Sequence, residues 1–262
     1  MVPRSKARRP IILAIVAVLT LIGSAGLGLR SSRTSFTPPV EVRPGLWSSK
    51  IGGGVFVFAA QSGDKAVFFD TGMDGDAHGL AALLGAVKRT QTGVSDVFIT
   101  HGHPDHTAGI AQFTNARVYA GAGDVDLVTR KASPETFLPR VFSWVWAAPA
   151  GRVSNPLTAA ETITLPDQKT VRAFPVPGHT PGSFAYLFDD ILIVGDIMVL
   201  EAGHLLPTPS LFNPHPDQNL ASIRALATAL TGLNIDRVCT SHGGCTAPGQ
   251  GRALFDAFVS GL

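Results

Sequence analysis

The sequence predicts a layered α/β domain over residues 40–262, and three features carry that prediction. Short apolar runs of strand length alternate with stretches whose apolar residues recur at helical spacing. Several of the strand-like runs end in a turn that carries histidine or aspartate. The single long apolar stretch stands apart at the N-terminus, so it need not be counted as core. Repeated strand, loop and helix units imply sheets covered by helices.

Residues 1–10 carry Arg4, Lys6, Arg8 and Arg9 and no acid, and residues 11–29 carry no charge at all. At about 1.5 Å per residue that run reaches roughly 28 Å, about the thickness of a bilayer's hydrocarbon core. Residues 1–30 therefore read as a signal peptide or a transmembrane signal-anchor, with Gly23-Ser24-Ala25 offering small residues where a peptidase could cut. Arg8-Arg9 also permits twin-arginine export. The basic excess before the span puts the N-terminus in the cytoplasm and the folded part outside, either membrane-anchored or secreted after cleavage. Residues 31–39 form a Ser/Thr/Pro linker.

Charge and cysteine content narrow the partners. Removing the six basic residues of positions 1–35 from the 21 in the chain leaves 15 against 19 acidic, a net charge of −4. A nucleic-acid enzyme would present a basic footprint, so a small-molecule substrate is expected, with membrane contact only through the N-terminal segment. Cys239 and Cys245 lack CxxC spacing. They can pair outside the cell, but Cys239 reads first as a buried apolar residue.

Within the domain, residues 55–58 and 66–69 read as a hairpin around Gln61-Ser62-Gly63-Asp64. The second run ends in Asp70-Thr71-Gly72, a usual turn former that also sits where strand ends gather. Asp76 can cap a helix over residues 77–88, with Leu80, Leu83, Leu84 and Val87 on one face and His78 toward solvent. Residues 97–100 make a short buried strand. Beyond its turn, residues 107–113 predict a helix, 117–120 a strand and 124–131 another helix. Residues 133–156 break the rhythm, with Phe137, Leu138, Val141, Phe142, Trp144 and Trp146 between prolines. This is an insertion or lid that packs its aromatics on the body or offers an apolar wall to a substrate or a membrane surface.

Strands return over residues 169–176, 184–188 and 191–194. Pro177-Gly178-His179-Thr180-Pro181-Gly182 follows the first and Gly195-Asp196 the last. A Pro-rich loop comes next, in which His204, Asn213 and His215 could reach a substrate or lie exposed. A helix over 216–230, a strand over 237–240 ending in Ser241-His242-Gly243, and a helix over 251–259 complete the domain.

The densest chemistry is Thr100-His101-Gly102-His103-Pro104-Asp105-His106, three imidazoles and a carboxylate within six residues. If His101 to His103 continues extended, the period of two sends both imidazoles to one side. Pro104 disfavours helix at His103 and suits a turn, which displaces Asp105 and His106 from that pair. One stretch thus offers two half-sites for zinc or a similar divalent ion. His179, Asp196 and His242 raise the set to seven ligand-type residues, all on turns after apolar runs.

The HxHxDH pattern, with the later His, Asp and His in order, resembles the metallo-β-lactamase fold superfamily over residues 40–262. The resemblance implies an α/β (α+β) four-layer αββα sandwich with metals at one edge of its two sheets. It implies two divalent metal ions, zinc first and manganese or iron second. Carried over by position, His101, His103 and His179 hold one, Asp105, His106 and His242 the other, and Asp196 bridges them. Asp70 then secures the ligand loop without binding metal. Two cations about 3.5–4 Å apart lower the pKa of a shared water to around 7 and polarise the electrophile. Asp105 is the catalytic candidate, orienting that nucleophile or shuttling its proton.

Departures from the pattern shape the expected substrate. Asp196 is similar to the bridging residue of the glyoxalase II, lactonase and phosphodiesterase branches, which disfavours a β-lactam. Ile197-Met198-Val199 stands where acyl-homoserine lactonases carry a tyrosine, and residues 251–262 lack the basic helical region that glyoxalase II enzymes use for glutathione. The expectation is a metal-dependent hydrolase of an ester, lactone, thioester or similar bond. A one-iron enzyme resembling sulfur dioxygenases and a β-lactamase-like amide hydrolase are the alternatives. A non-catalytic binding module would have lost a ligand residue, and all seven are present.

Overall fold

A computed structural model of the chain describes residues 35–262 except 53, 75, 76 and 147, with backbone alone for 142 and 144–146. A mixed sheet holds seven strands in sequence order: β1 (Val40–Arg43), β2 (Leu46–Ile51), β3 (Val55–Ser62), β4 (Lys65–Phe69), β5 (Val94–Phe98), β6 (Arg117–Gly121) and β7 (Asn155–Leu157). The second sheet is built from β8 (Glu161–Thr164), β9 (Thr170–Pro175), β10 (Phe184–Phe188) and β11 (Ile191–Gly195). After a separate hairpin of β12 (Met198–Glu201) and β13 (His204–Pro207), it adds β14 (Arg237–Thr240) beside β11 and β15 (Gly244–Cys245) at the edge.

The central strands are buried on both faces, and the period of two sorts their side chains between two cores. From β4, Val67 and Phe69 enter the core between the sheets, while Ala66 and Phe68 face outward. From β10, Phe184, Tyr186 and Phe188 point into the same central core, while Ala185 and Leu187 face the other way. The outer face of the first sheet is covered by α1 (His78–Ala86) through Leu80, Leu83 and Leu84. The outer face of the second takes Ile223 and Leu226 of α5 (Pro216–Ala229) and Phe255 of α6 (Gly251–Ser260). Helix, sheet, sheet and helix therefore stack in four layers around three cores.

Between the sheets an aromatic column runs toward one edge. Phe98 stacks on Tyr119 at 4.9 Å and on Phe69 at 5.3 Å, and tilts against Tyr186 at 5.4 Å. The buried Tyr186 hydroxyl donates to the Ile99 carbonyl at 2.8 Å, and Phe184 N–H donates to the Thr100 carbonyl at 2.8 Å. The stretch leading into His101 is thus pinned to the opposite sheet.

Several local expectations are corrected. The helix placed at 107–113 instead begins at Pro104, as the single turn α2 (Pro104–Thr107). Proline suits this first position because no intrahelical bond needs its N–H. Only a 3₁₀ turn at Ile110–Gln112 follows. The helix expected over 124–131 contracts to α3 (Val125–Val128). Residues 133–156 hold α4 (Phe137–Trp146) and then the start of β7, so part of the insertion is sheet edge. The loop after Asp196 carries the β12–β13 hairpin, with His204 exposed on it. Cys239 is fully buried as expected, but it is also disulfide-bonded to Cys245, its cross-strand partner.

The proposed cap Asp76, the segment 1–30 and residues 31–34 of the linker lie outside the described residues. Among the described residues no helix is long and apolar enough to cross a membrane. Phe36, within the linker, bridges to Ile51 and so extends the sheet edge.

Tyr186→Phe removes the only hydroxyl of the aromatic column that reaches the other sheet among the described residues. The expected loss is about 1–3 kcal/mol, because the buried Ile99 carbonyl loses that donor. Urea denaturation reads it as a lower midpoint at unchanged slope. An unchanged midpoint would show that this bond does not tie the sheets.

Candidate metal centre

All the expected site residues sit beyond C-terminal strand ends at one edge of the sandwich. β4, β5 and β6 are parallel neighbours in the first sheet, and β11 and β14 are parallel in the second. Asp70 follows β4, the 101–106 stretch follows β5, His179 follows β9, Asp196 follows β11 and His242 follows β14. Gly195, just before Asp196, has φ +61° and would drive a Cβ to 2.7 Å from Thr100. Only glycine lets the β11 end approach the histidine stretch this closely.

The seven residues meet. His101 Nε2 and His103 Nδ1 are 3.0 Å apart, and His179 Nε2 lies 3.2 Å from each. The extended backbone at His103, φ −66° and ψ 150°, presents its ring on the His101 side. Asp196 Oδ2 stands 3.1 Å from His242 Nε2, 3.5 Å from His106 Nε2 and 3.9 Å from both His101 Nε2 and His179 Nε2. Asp105 Oδ2 is 3.8 Å from His106 Nε2 and 4.0 Å from His242 Nε2.

The donor chemistry fits a metal ion. Tetrahedral zinc with bonds of about 2.0–2.1 Å places neighbouring nitrogens roughly 3.3–3.4 Å apart, close to the triangle seen here. Burial, with the neighbouring imidazoles, pushes His101 well below its ordinary value, and burial foremost takes His103 to about 4 and His179 to about 3. These rings are therefore neutral at neutral pH, and each directs a ring nitrogen at the other two. Burial also acts to lower His106, but Asp196, Asp70 and Asp105 outweigh it and raise that imidazole well above its usual range. At the His106 end of the cluster the three carboxylates thus favour a cation. His106 Nε2 and Asp196 Oδ1 are buried without a hydrogen-bond partner. The sets His101, His103, His179; His101, His106, Asp196; and Asp105, His106, His242 could each hold an ion.

Two buried carboxylates hold this arrangement. Asp70, in a left-handed conformation at φ 58°, accepts from Thr100 N–H at 2.8 Å, Thr100 Oγ1 at 2.7 Å and His106 Nδ1 at 2.8 Å. That bond fixes the His106 proton on Nδ1 and leaves Nε2 to face the cluster. By sequence alone Asp124 marks only the start of a helix. It accepts from Gly102 N–H at 2.6 Å, Thr180 Oγ1 at 2.6 Å and Gly182 N–H at 2.8 Å, tying the His101–His103 turn to the His179 turn. Arg130 donates to Thr107 Oγ1, whose hydroxyl donates to the His103 carbonyl.

A cavity of about 340 Å³ opens over the cluster, with Asp105, Asp196 and His242 in its floor and Pro139, Val199 and Phe212 in its walls. His204 does not line it. His215 pairs instead with Glu135 at 2.9 Å, and Asn213 is buried against Asn219.

Asp124→Ala is expected to lower metal affinity about 10- to 100-fold, since two ligand turns lose their shared anchor. Competition against a chromophoric chelator measures it, and wild-type affinity would contradict the anchoring role.

Comparison with known proteins agrees with this architecture. The family model described as the metallo-beta-lactamase superfamily matches residues 51–242. A hydroxyacylglutathione hydrolase of Shewanella sp. (strain ANA-3) is 33% identical over 156 residues, covering 58% of this chain and 50% of that protein. A second, from Halorhodospira halophila, is 28% identical and covers 75% of this chain and 60% of that protein. The chain therefore spans about half the length of the first of these relatives. Among solved structures, BJP-1, a subclass B3 metallo-beta-lactamase of Bradyrhizobium japonicum, is similar with a TM-score of 0.61 and 18% identity, over 88% of this chain and 94% of that one. A beta-lactamase from Chitinophaga pinensis gives a TM-score of 0.63 at 16% identity, over 88% and 92%. At these identities the structures speak for the fold alone. With the family match covering most of the domain, the chain belongs to the metallo-beta-lactamase superfamily.

Proposed function

We propose that the chain is a binuclear metallo-hydrolase, with zinc the favoured metal, that cleaves an ester, lactone, thioester or similar bond of a small molecule. The observation that carries this reading is the position of Asp196 Oδ2. It lies within 3.9 Å of four histidine nitrogens that belong to two different donor sets. His101, His103 and His179 would hold one cation, and Asp105, His106 and His242 the other, with Asp196 shared.

When bound, such cations supply Lewis-acid polarisation of a carbonyl oxygen and lower the pKa of a nearby water to around 7. The residues of the chain divide the remaining work. Asp105, on the cavity floor and partly open, is placed to orient the attacking water and pass its proton to the leaving group. His242 is the most open of the donors, with its side chain 41% exposed, so its end of the cluster faces incoming substrate. His101, His103 and His179 are each at least 94% buried and act as a rigid frame.

The Cys239–Cys245 disulfide supports an extracytoplasmic location, because such bonds persist in oxidising compartments. It agrees with the basic-then-apolar N-terminal segment, which we take as a signal or anchor.

Hydrolysis by the purified chain, stripped with chelator and reloaded with zinc, tests the reading against a panel of lactones, aryl esters, thioesters, a β-lactam and a phosphodiester. Turnover should appear only on reloading and should vanish in His103→Ala. Asp105→Asn should lower kcat by about 10²- to 10⁴-fold. Activity that survives stripping, or oxygen uptake by an iron-loaded form in place of hydrolysis, would contradict it.

A further inference from the structure

We propose that the substrate is a neutral ester, thioester or lactone whose acyl or alcohol part is apolar, and not an anionic conjugate, a preference that presupposes the hydrolase reading above. The walls of the cavity carry it. Above the donor floor they are formed by Pro104, Pro139, Val199, Pro209 and Phe212. Thr208 is a polar exception, but its hydroxyl is spent on the Asp196 carbonyl. Among the described residues no lysine or arginine lines this cavity.

The surroundings repeat the pattern. A smaller cavity of about 130 Å³ shares His103 and His179, and the charged residues it adds are Asp126 and Glu135. The two guanidinium groups nearest in sequence are already committed. Arg130 donates to the Gly102 and Leu127 carbonyls and to Thr107. Arg140, on α4, donates to the Pro134 and Glu135 carbonyls. A carboxylate on the part of a substrate that lies along these walls would be desolvated with no cation to receive it, at a substantial cost.

Exposed apolar side chains occur on the neighbouring stretches of the chain. Phe137 is 75% exposed and Leu211 is 58% exposed, on the two segments that supply Pro139 and Phe212 to the walls. At about 340 Å³ the cavity lies near the lower end of small-molecule sites, which run from about 300 to 1,000 Å³, so a compact chain fits it.

Kinetics of the zinc-loaded full-length chain test the preference, with 4-nitrophenyl acetate, butyrate and hexanoate set against the 4-nitrophenyl monoester of adipate. That monoester has the hexanoate chain length with a terminal carboxylate. kcat/KM should rise about fourfold per methylene and fall roughly 10- to 100-fold from hexanoate to the adipate monoester. Val199→Arg, or Phe212→Lys if the first variant does not fold, should narrow that gap by raising turnover of the anionic ester. A flat chain-length series, an adipate monoester as good as hexanoate, or a gap unmoved by the added cation overturns the proposal.

If no ester turns over, binding separates the two readings. 2-Octanone, which has the chain and no scissile bond, should raise the thermal midpoint of the zinc-loaded chain more than 7-oxooctanoate does. That result would keep the apolar preference while the hydrolase reading falls. No shift with the ketone, or an equal shift with the keto acid, overturns the preference.

Discussion

Three imidazole nitrogens from two separate turns stand 3.0–3.2 Å apart at one buried point. Such a triangle persists only if a rigid frame, a cation, or both hold it. The fold supplies the frame. Parallel strands of two sheets end at one edge, so that five turns far apart in sequence deliver their side chains to a common point. The central aromatic column and the Tyr186 bond to the Ile99 carbonyl then fix the height of the histidine stretch against the second sheet.

Two carboxylates that do not join the donor cluster set its register. Asp70 adopts a left-handed backbone at the end of β4, a conformation that asparagine and aspartate tolerate better than most residues. This aims both its oxygens at Thr100 and His106. Asp124 does the same for the other half, gathering N–H and O–H groups from the His101–His103 and His179 turns. Gly102 fits there because a Cβ would meet Leu127 at 2.6 Å and Asp124 at 3.1 Å. Asp70 thereby orients the His106 ring and raises its basicity, while Asp124 fixes the two turns that carry His101, His103 and His179.

Much of this was legible in the sequence because it is written locally. The pair His101 and His103 needs only the period of an extended chain and the restriction Pro104 imposes, and their nitrogens do meet. The long strands β3, β4, β10 and β11 show as apolar runs because both their faces are buried. What was not legible depends on tertiary partners. β2 hides its strand character behind Ser48, Ser49 and Lys50, although both serines are buried. Asp124 looks like an ordinary helix start, and only the approach of residues 180–182 gives it a role. The disulfide depends on β15, a strand of two residues that no periodicity can reveal. The Glu135–His215 pair joins segments 80 residues apart, and no local pattern announces it.

Shared geometry and divided chemistry distinguish this chain from its relatives. Its fold is that of the solved beta-lactamases, while the sequence matches of 28–33% reach hydroxyacylglutathione hydrolases over only 50–60% of their length. The decisive quantity is therefore what the donor cluster binds. Anomalous diffraction at the zinc edge, from crystals of the chain grown with zinc, measures it directly. Two peaks are predicted, one bonded to His101, His103 and His179 and one to Asp105, His106 and His242, each in contact with Asp196. A single peak, or one whose ligands exclude Asp196, would contradict a binuclear centre.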